Sequence, residues 1–189
     1  MKNFKIENNG IISEHFQKLN IYDFESAAYF IAHLSYRRNK DKTNILCVFE
    51  ELAGTCSTKH AVLRKLALEN LQKDFKLMLG IFKMDEIYAP SISETLKKYD
   101  LNYIPEAHNY LKIEDSYFDF TKTKAKYLDF SANILFETEI EFDEINTTKV
   151  KIHKDFLAKW TSQNTKYNLE EIWKIREKCI EDLQKKNSI

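Results

Sequence analysis

The 189-residue chain carries 29 Lys and Arg against 29 Asp and Glu, so its formal charge cancels at neutral pH; that balance, with only four arginines, is poor composition for gripping nucleic acid. Three glycines and two prolines leave no Gly-rich phosphate loop, and no apolar run approaches a membrane span or a signal-peptide core. Three cysteines with neither paired nor C-x-x-C spacing give no disulfide framework and no zinc signature, so the expectation is a single cytoplasmic domain over residues 1–189 with no cofactor and no nucleic-acid or membrane partner.

In chain order, the first clear element is a helix over residues 23–37. Phe24, Ala27, Ala28, Ile31 and Leu34 recur at helical spacing behind Asp23 as N-cap, and Arg37 and Arg38 are placed against its C-terminal dipole. His33, on the same helix, reads as structural. The polar run 39–44 is a loop, and Ile45, Leu46, Val48, Phe49 and Leu52 suggest a short helix that delivers the chain to Gly54. Thr55 is an N-cap type, so a second long helix runs from Cys56 to about residue 71. Residues 75–82 are apolar at nearly every position, as a strand covered on both faces requires.

Ser91 and Glu94 stand at capping-box spacing and open a short helix to about residue 99. Residues 107–113 and 117–121 then flank polar Glu114-Asp115-Ser116 and read as a hairpin. A two-residue loop at Glu114-Asp115 pairs Tyr110 with Asp119 and puts His108 and Asp119 on one face as diagonal neighbours, a loop centred one residue earlier sets them directly opposite, and an odd-length loop without a bulge separates them. Residues 132–142 alternate as a strand with one face in the core and Glu137, Glu139 and Glu141 on the wet face. A calcium site from these and Asp143 is weaker than reading them as a solvated edge that resists aggregation. Two helices close the chain, over 154–162 and 169–185. The second is capped by Asn168 with Glu171, and its core stripe is Ile172, Trp173, Ile175, Cys179 and Leu183.

Cys56 is the residue whose setting carries chemistry. The first helical turn has unpaired N–H groups and the positive end of the dipole, both of which favour thiolate over thiol. Cys47 and Cys179, within apolar or helical periodicity, read instead as packing residues. Gly54 would let a substrate carbonyl approach the backbone before the sulfur. His60, four residues after Cys56 on the same helical face, could line the site or compete as base. Zinc held by Cys56, His60 and His108 lacks a fourth ligand of sensible spacing, so no metal site is expected.

Cysteine at a helix start, histidine on a later strand and aspartate on the next strand form one constellation, and here the chain resembles the transglutaminase-like superfamily. The residues that carry the resemblance are Gly54-Thr55-Cys56, Pro105-Glu106-Ala107-His108 and Asp119-Phe120-Thr121, within about residues 45–122. Ser57 and Asn109-Tyr110 depart from the aromatic residues that many members carry after the cysteine and after the histidine. The resemblance implies a papain-like α+β fold, with a motif-bearing core over about 45–142 and C-terminal helices over about 154–185. The Cys-bearing helix would pack on an antiparallel sheet that carries the histidine and the aspartate.

The resemblance also implies thiol chemistry on an amide-bearing peptide, protein or small molecule, by hydrolysis or acyl transfer through a thioester. Cys56 would be nucleophile, His108 base and Asp119 its orienting carboxylate, with Gly54, His60 and Tyr110 as substrate-contacting candidates. The Cys56 N–H would be one oxyanion donor. The rival expectation, supported by the departures, is an inert module of the same fold that binds a protein or peptide.

Overall fold

The computed structural model describes residues 1–123 and 128–185. Helix α1 (Ile11–Lys18) has no side-chain cap of its own at Gly10. Its N-terminal amides are held from a distance: Ile12 and Ser13 N–H donate to the Glu69 carboxylate at 3.2 and 2.8 Å. Helix α2 (Phe24–His33) starts as its sequence requires, with Asp23 accepting the Ser26 N–H. It stops earlier than expected, because Leu34 turns to extended backbone at φ −62°, ψ 147°. Ser35–Tyr36 then form strand β1, so Arg37 and Arg38 do not sit on a helix dipole; Arg37 instead pairs with Glu51 at 3.2 Å.

Helix α3 (Cys47–Glu50) leads into strand β2 (Ala53–Gly54), which pairs in parallel with β1, Tyr36 opposite Gly54. Helix α4 (Cys56–Glu69) follows at once, then strand β3 (Phe75–Met84). A 3₁₀ turn (Pro90–Ile92) precedes helix α5 (Ser93–Lys98), whose N-cap is Ile92 with no side-chain bond; the expected Ser91–Glu94 capping box is not the device used. Strand β4 (Ile104–Ile113), strand β5 (Ser116–Phe118), helix α6 (Leu128–Ser131), strand β6 (Ile134–Glu139), helix α7 (Thr147–Asn164) and helix α8 (Leu169–Lys185) complete the described chain. Helix α7 begins seven residues before the expected 154. Helix α8 carries the expected box, Asn168 and Glu171 exchanging bonds at 2.8 and 3.0 Å.

The result is an α+β fold with a four-stranded antiparallel sheet in the order β5-β4-β3-β6. Across β4 and β5 the register is Leu111 to Phe118, Lys112 to Tyr117 and Ile113 to Ser116, which is the two-residue loop at Glu114-Asp115. Strand β6 is shorter than the alternation suggested, and its apolar side is only partly covered, with Phe136 40% exposed. On the other side Glu139 and Glu141 lie 3.9 and 3.6 Å from Arg64, so these carboxylates answer a guanidinium rather than water alone.

Two compact units divide the chain. The first comprises Met1–Leu79, His108–Tyr127 and Thr138–Asn146, and the second Gly80–Ala107, Leu128–Glu137 and Thr147–Ile189. In the first unit α4 is the central element, with α1, α2 and α3 packed against it. Phe24 stacks edge-on to Phe75 at 4.7 Å, and Ile12, Phe16, Ile31, Leu63 and Leu66 are fully buried. In the second unit α8 packs on α7, α5 and the 3₁₀ turn over Ile92, Leu157, Ile172 and Cys179. Among the described residues no helix is long and apolar enough to cross a membrane.

Candidate active site

The first nine residues of α4 are all buried, although Ser57, Thr58, Lys59, His60 and Arg64 are polar. A buried polar group costs free energy unless it is hydrogen-bonded, and each of these has a partner. Ser57 Oγ donates to Asn109 Oδ1 at 3.0 Å, and Asn109 Nδ2 donates to the Met78 carbonyl on β3 at 3.0 Å. Thr58 Oγ1 donates to Asn39 at 2.8 Å and accepts the Thr55 N–H at 3.0 Å, which closes the first turn. Lys59 Nζ donates to the carbonyls of Leu34 and Thr121 at 2.6 and 2.8 Å. Arg64 reaches the carbonyls of Lys73 and Phe75. The start of α4 is thus wired to β3, β4 and the loop after β5, and Cys56 stands at the head of that wiring.

His108 lies on β4 and Asp119 just beyond β5. His108 Nε2 is 2.9 Å from Asp119 Oδ2, and the Cys56 side chain hydrogen-bonds the same imidazole. With Nε2 committed to the carboxylate, Nδ1 is the nitrogen left for the sulfur. Asp119 is itself fixed: its Oδ1 accepts the Thr121 N–H at 2.8 Å, the turn that an Asp-x-Thr sequence favours. Cys56 and His108 are each 7% exposed, so the three groups meet in a largely dry setting.

Charges follow from this geometry. Burial works against an imidazolium at His108, but the Asp119 carboxylate and then the Cys56 sulfur outweigh it, and the ring's pKa is raised. Burial likewise opposes the Asp119 carboxylate, and His108 outweighs it, so that pKa is lowered. Such coupling is reciprocal: a sulfur that favours imidazolium is favoured by it as thiolate. The other two thiols sit differently. Burial pushes Cys47 up to about 11 and Cys179 up to about 12, with Glu51 and Asp182 as the next causes.

His60 is brought to the same place but in another state. Its Nδ1 is 2.7 Å from the Cys56 carbonyl and its Nε2 accepts the Phe120 N–H at 2.8 Å, which leaves a neutral ring with both nitrogens engaged. Burial first of all drives its pKa down to about 4. The 3.6 Å approach to Asp119 is therefore not an ion pair, and His60 is neither a free base nor a metal ligand; it ties the first turn of α4 to the Asp119 loop. Among the described residues no group of three or more His, Cys, Asp or Glu is placed to hold a metal ion.

The remaining candidates, Tyr110 and Gly54, are both buried. Tyr110 is fully buried, its ring 6.3 Å from that of His108 and 5.6 Å from that of Tyr117, so it packs behind the histidine. At Gly54 a Cβ would lie 2.8 Å from Thr58 Oγ1, 3.0 Å from Lys59 Cγ and 3.1 Å from Val48 Cγ1. The missing side chain makes room for the first turn of α4.

No protein-family model, no curated protein and no solved structure matches this chain. The functional reading therefore rests on the residues themselves. Sequence reasoning gave Lys59 no role and took Asn109 only as a departure from the family pattern. The detectable signal was their placement, three residues after the cysteine and one after the histidine.

Proposed function

We propose that this chain is a cysteine-nucleophile enzyme of amide chemistry, a transglutaminase-like hydrolase or acyl transferase, in which the Cys-bearing helix and the antiparallel sheet form a papain-like core. The observation that carries the reading is the shared imidazole, with His108 bonded to Asp119 on one side and to the Cys56 side chain on the other. Cys56 and His108 rest as thiolate and imidazolium. The thiolate attacks the carbonyl carbon of an amide, and the oxyanion that forms lies at the N-terminal end of α4, where the helix dipole and the Cys56 N–H favour it. Collapse breaks the C–N bond, and the leaving amine takes the proton of His108. The neutral imidazole then accepts a proton from water or from a second amine, which attacks the thioester and frees the sulfur. Asp119 keeps the ring oriented and stabilises its charged form throughout. A reducing cytoplasm suits a nucleophile that must stay a free thiol.

Iodoacetamide labelling at neutral pH, mapped by mass spectrometry, tests the reading. Cys56 is expected to label fastest of the three cysteines, and incubation with glutamine-containing and other amide compounds is expected to yield a Cys56 thioester that Cys56→Ala abolishes. Labelling of Cys56 no faster than Cys179 would overturn it in favour of an inert binding module.

A further inference from the structure

The charges of the site do not cancel within Cys56, His108 and Asp119. On the thiol-enzyme reading, thiolate, imidazolium and carboxylate leave one net negative charge among side chains that are largely buried, and an unbalanced buried charge is costly. His60 cannot offset it, being neutral. Lys122, which also interacts with Asp119, is an exposed residue, so solvent screens part of its charge. Lys59 is different: it is 0% exposed, stands three residues after Cys56 on α4, and its Nζ is fastened to the Leu34 carbonyl and, within the Asp119 loop, to the Thr121 carbonyl.

We propose that Lys59 is a positioning residue of this site: its buried ammonium balances the charges of Cys56 and Asp119 across His108, and its two hydrogen bonds hold the Asp119 loop to the start of α4. The inference rests on the thiol-enzyme reading and adds a fourth member to it. Two neutral carbonyls can be satisfied by any donor, so a lysine carried into the interior for hydrogen bonding alone would be a wasteful choice; its stem and charge cost more to bury than an amide. A cation is accounted for by two nearby anions. The groups that face it are consistent in sign, since burial draws its pKa down to about 8, Asp119 and Cys56 hold it up, and Lys122 opposes it. It therefore keeps its proton at neutral pH and begins to lose it just above.

The pH dependence of Cys56 alkylation by iodoacetamide separates charge from hydrogen bonding. Lys59→Gln offers donors to the same carbonyls without the charge, and Lys59→Arg keeps the charge. The rise in alkylation rate is expected to move about one pH unit higher in Lys59→Gln, the usual effect of losing a nearby opposite charge. It should stay near wild type in Lys59→Arg and in the surface control Lys151→Gln, at an exposed lysine that pairs with Asp155. An unshifted profile in folded Lys59→Gln overturns the proposal. A wild-type profile that rises only where a free thiol does overturns the triad reading instead. If Lys59→Gln does not fold, side-chain nitrogen NMR of the wild-type protein decides: an ammonium at Lys59 at neutral pH upholds the proposal, and a neutral amine overturns it.

Discussion

Strand β4 carries two buried charge clusters that start two residues apart and come to opposite ends. From Glu106, in the second unit, the carboxylate is gripped by both arms of the Arg176 guanidinium, Nε at 2.6 Å and the second arm closer still, with Glu177 as a further anion. Burial opposes the Glu106 charge, but Arg176 outweighs it and lowers its pKa, while Arg176 is raised in return. From His108, in the first unit, the carboxylate of Asp119 holds an imidazole whose other side meets a thiol. Both carboxylates are buried and both are paired. The guanidinium never releases a proton, and the thiol that shares its surroundings, Cys179, is pushed up to about 12, first of all by burial, so the Glu106 cluster holds its charge without a ready nucleophile. The imidazole can pass its proton on, and a sulfur waits for the exchange. Buried charge alone does not make a site; a transferable proton beside a nucleophile does.

The contrast breaks most visibly through single substitutions. His108→Ala should cost on the order of 10² to 10⁴ in the rate of Cys56 acylation, the contribution of a positioned acid-base group, as read by single-turnover trapping of the thioester. Arg176→Met should do the reverse. It strands a buried carboxylate and should lower stability by about 3–5 kcal/mol in urea titration, while the pH profile of Cys56 alkylation stays where it was. A shifted profile in Arg176→Met would mean that the two clusters are not independent.

What could be read from sequence were the features whose causes lie within a few residues. The start of α4 falls after Thr55 as its residue type suggests, although the turn is closed by Thr58 Oγ1 accepting the Thr55 N–H and not by the Thr55 hydroxyl, and the two-residue turn at Glu114-Asp115 sets which residues of β4 and β5 share a face. What could not be read had its cause far away in the chain. Helix α1 was hidden because its N-terminus is satisfied by Glu69 and not by a local cap. Lys59 looks like any surface lysine because its two partners are backbone carbonyls, which leave no trace in composition. His60 looked like a rival base until Phe120 N–H was seen to occupy its second nitrogen. Arg37 and Arg38 were misplaced because the strand pairing of Ser35 with Ala53 ended α2 early, and tertiary pairing of that kind overrides helical periodicity.

The neutral state of His60 sharpens the contrast with His108 along a pH axis. A histidine with a lowered folded pKa leaves the unfolded chain holding more protons between about pH 4 and 6.5, so stability falls as the solution is acidified through that window. The loss for His60 should be on the order of 3 kcal/mol. His153, also lowered by burial, adds in the same direction. His108 has the opposite sign: its raised pKa contributes fully below its unfolded value and is lost as pH rises through the folded one. Asp119, lowered, contributes above its unfolded value and is lost only at strongly acid pH. Urea midpoints at pH 4 and 6.5 should therefore differ in the wild type and differ less in His60→Gln.

The smallest effect lies in the turn that sets the face shared by His108 and Asp119. Glu114 sits at φ 54°, a left-handed conformation that costs a residue with a Cβ about 1–2 kcal/mol, whereas glycine adopts it freely but loses more freedom on folding. Glu114→Gly should therefore stabilise the protein by roughly 0.5 kcal/mol, the difference between those two costs, visible as a small rise in the urea midpoint. Because the loop length is unchanged, Ile113 should still face Ser116, and the Cys56 alkylation profile should be that of the wild type. One residue inserted at the same place shifts every later side chain to the other face of the sheet and should abolish the low-pH alkylation. A silent substitution and a disabling insertion at one position would together assign the turn a role in register alone.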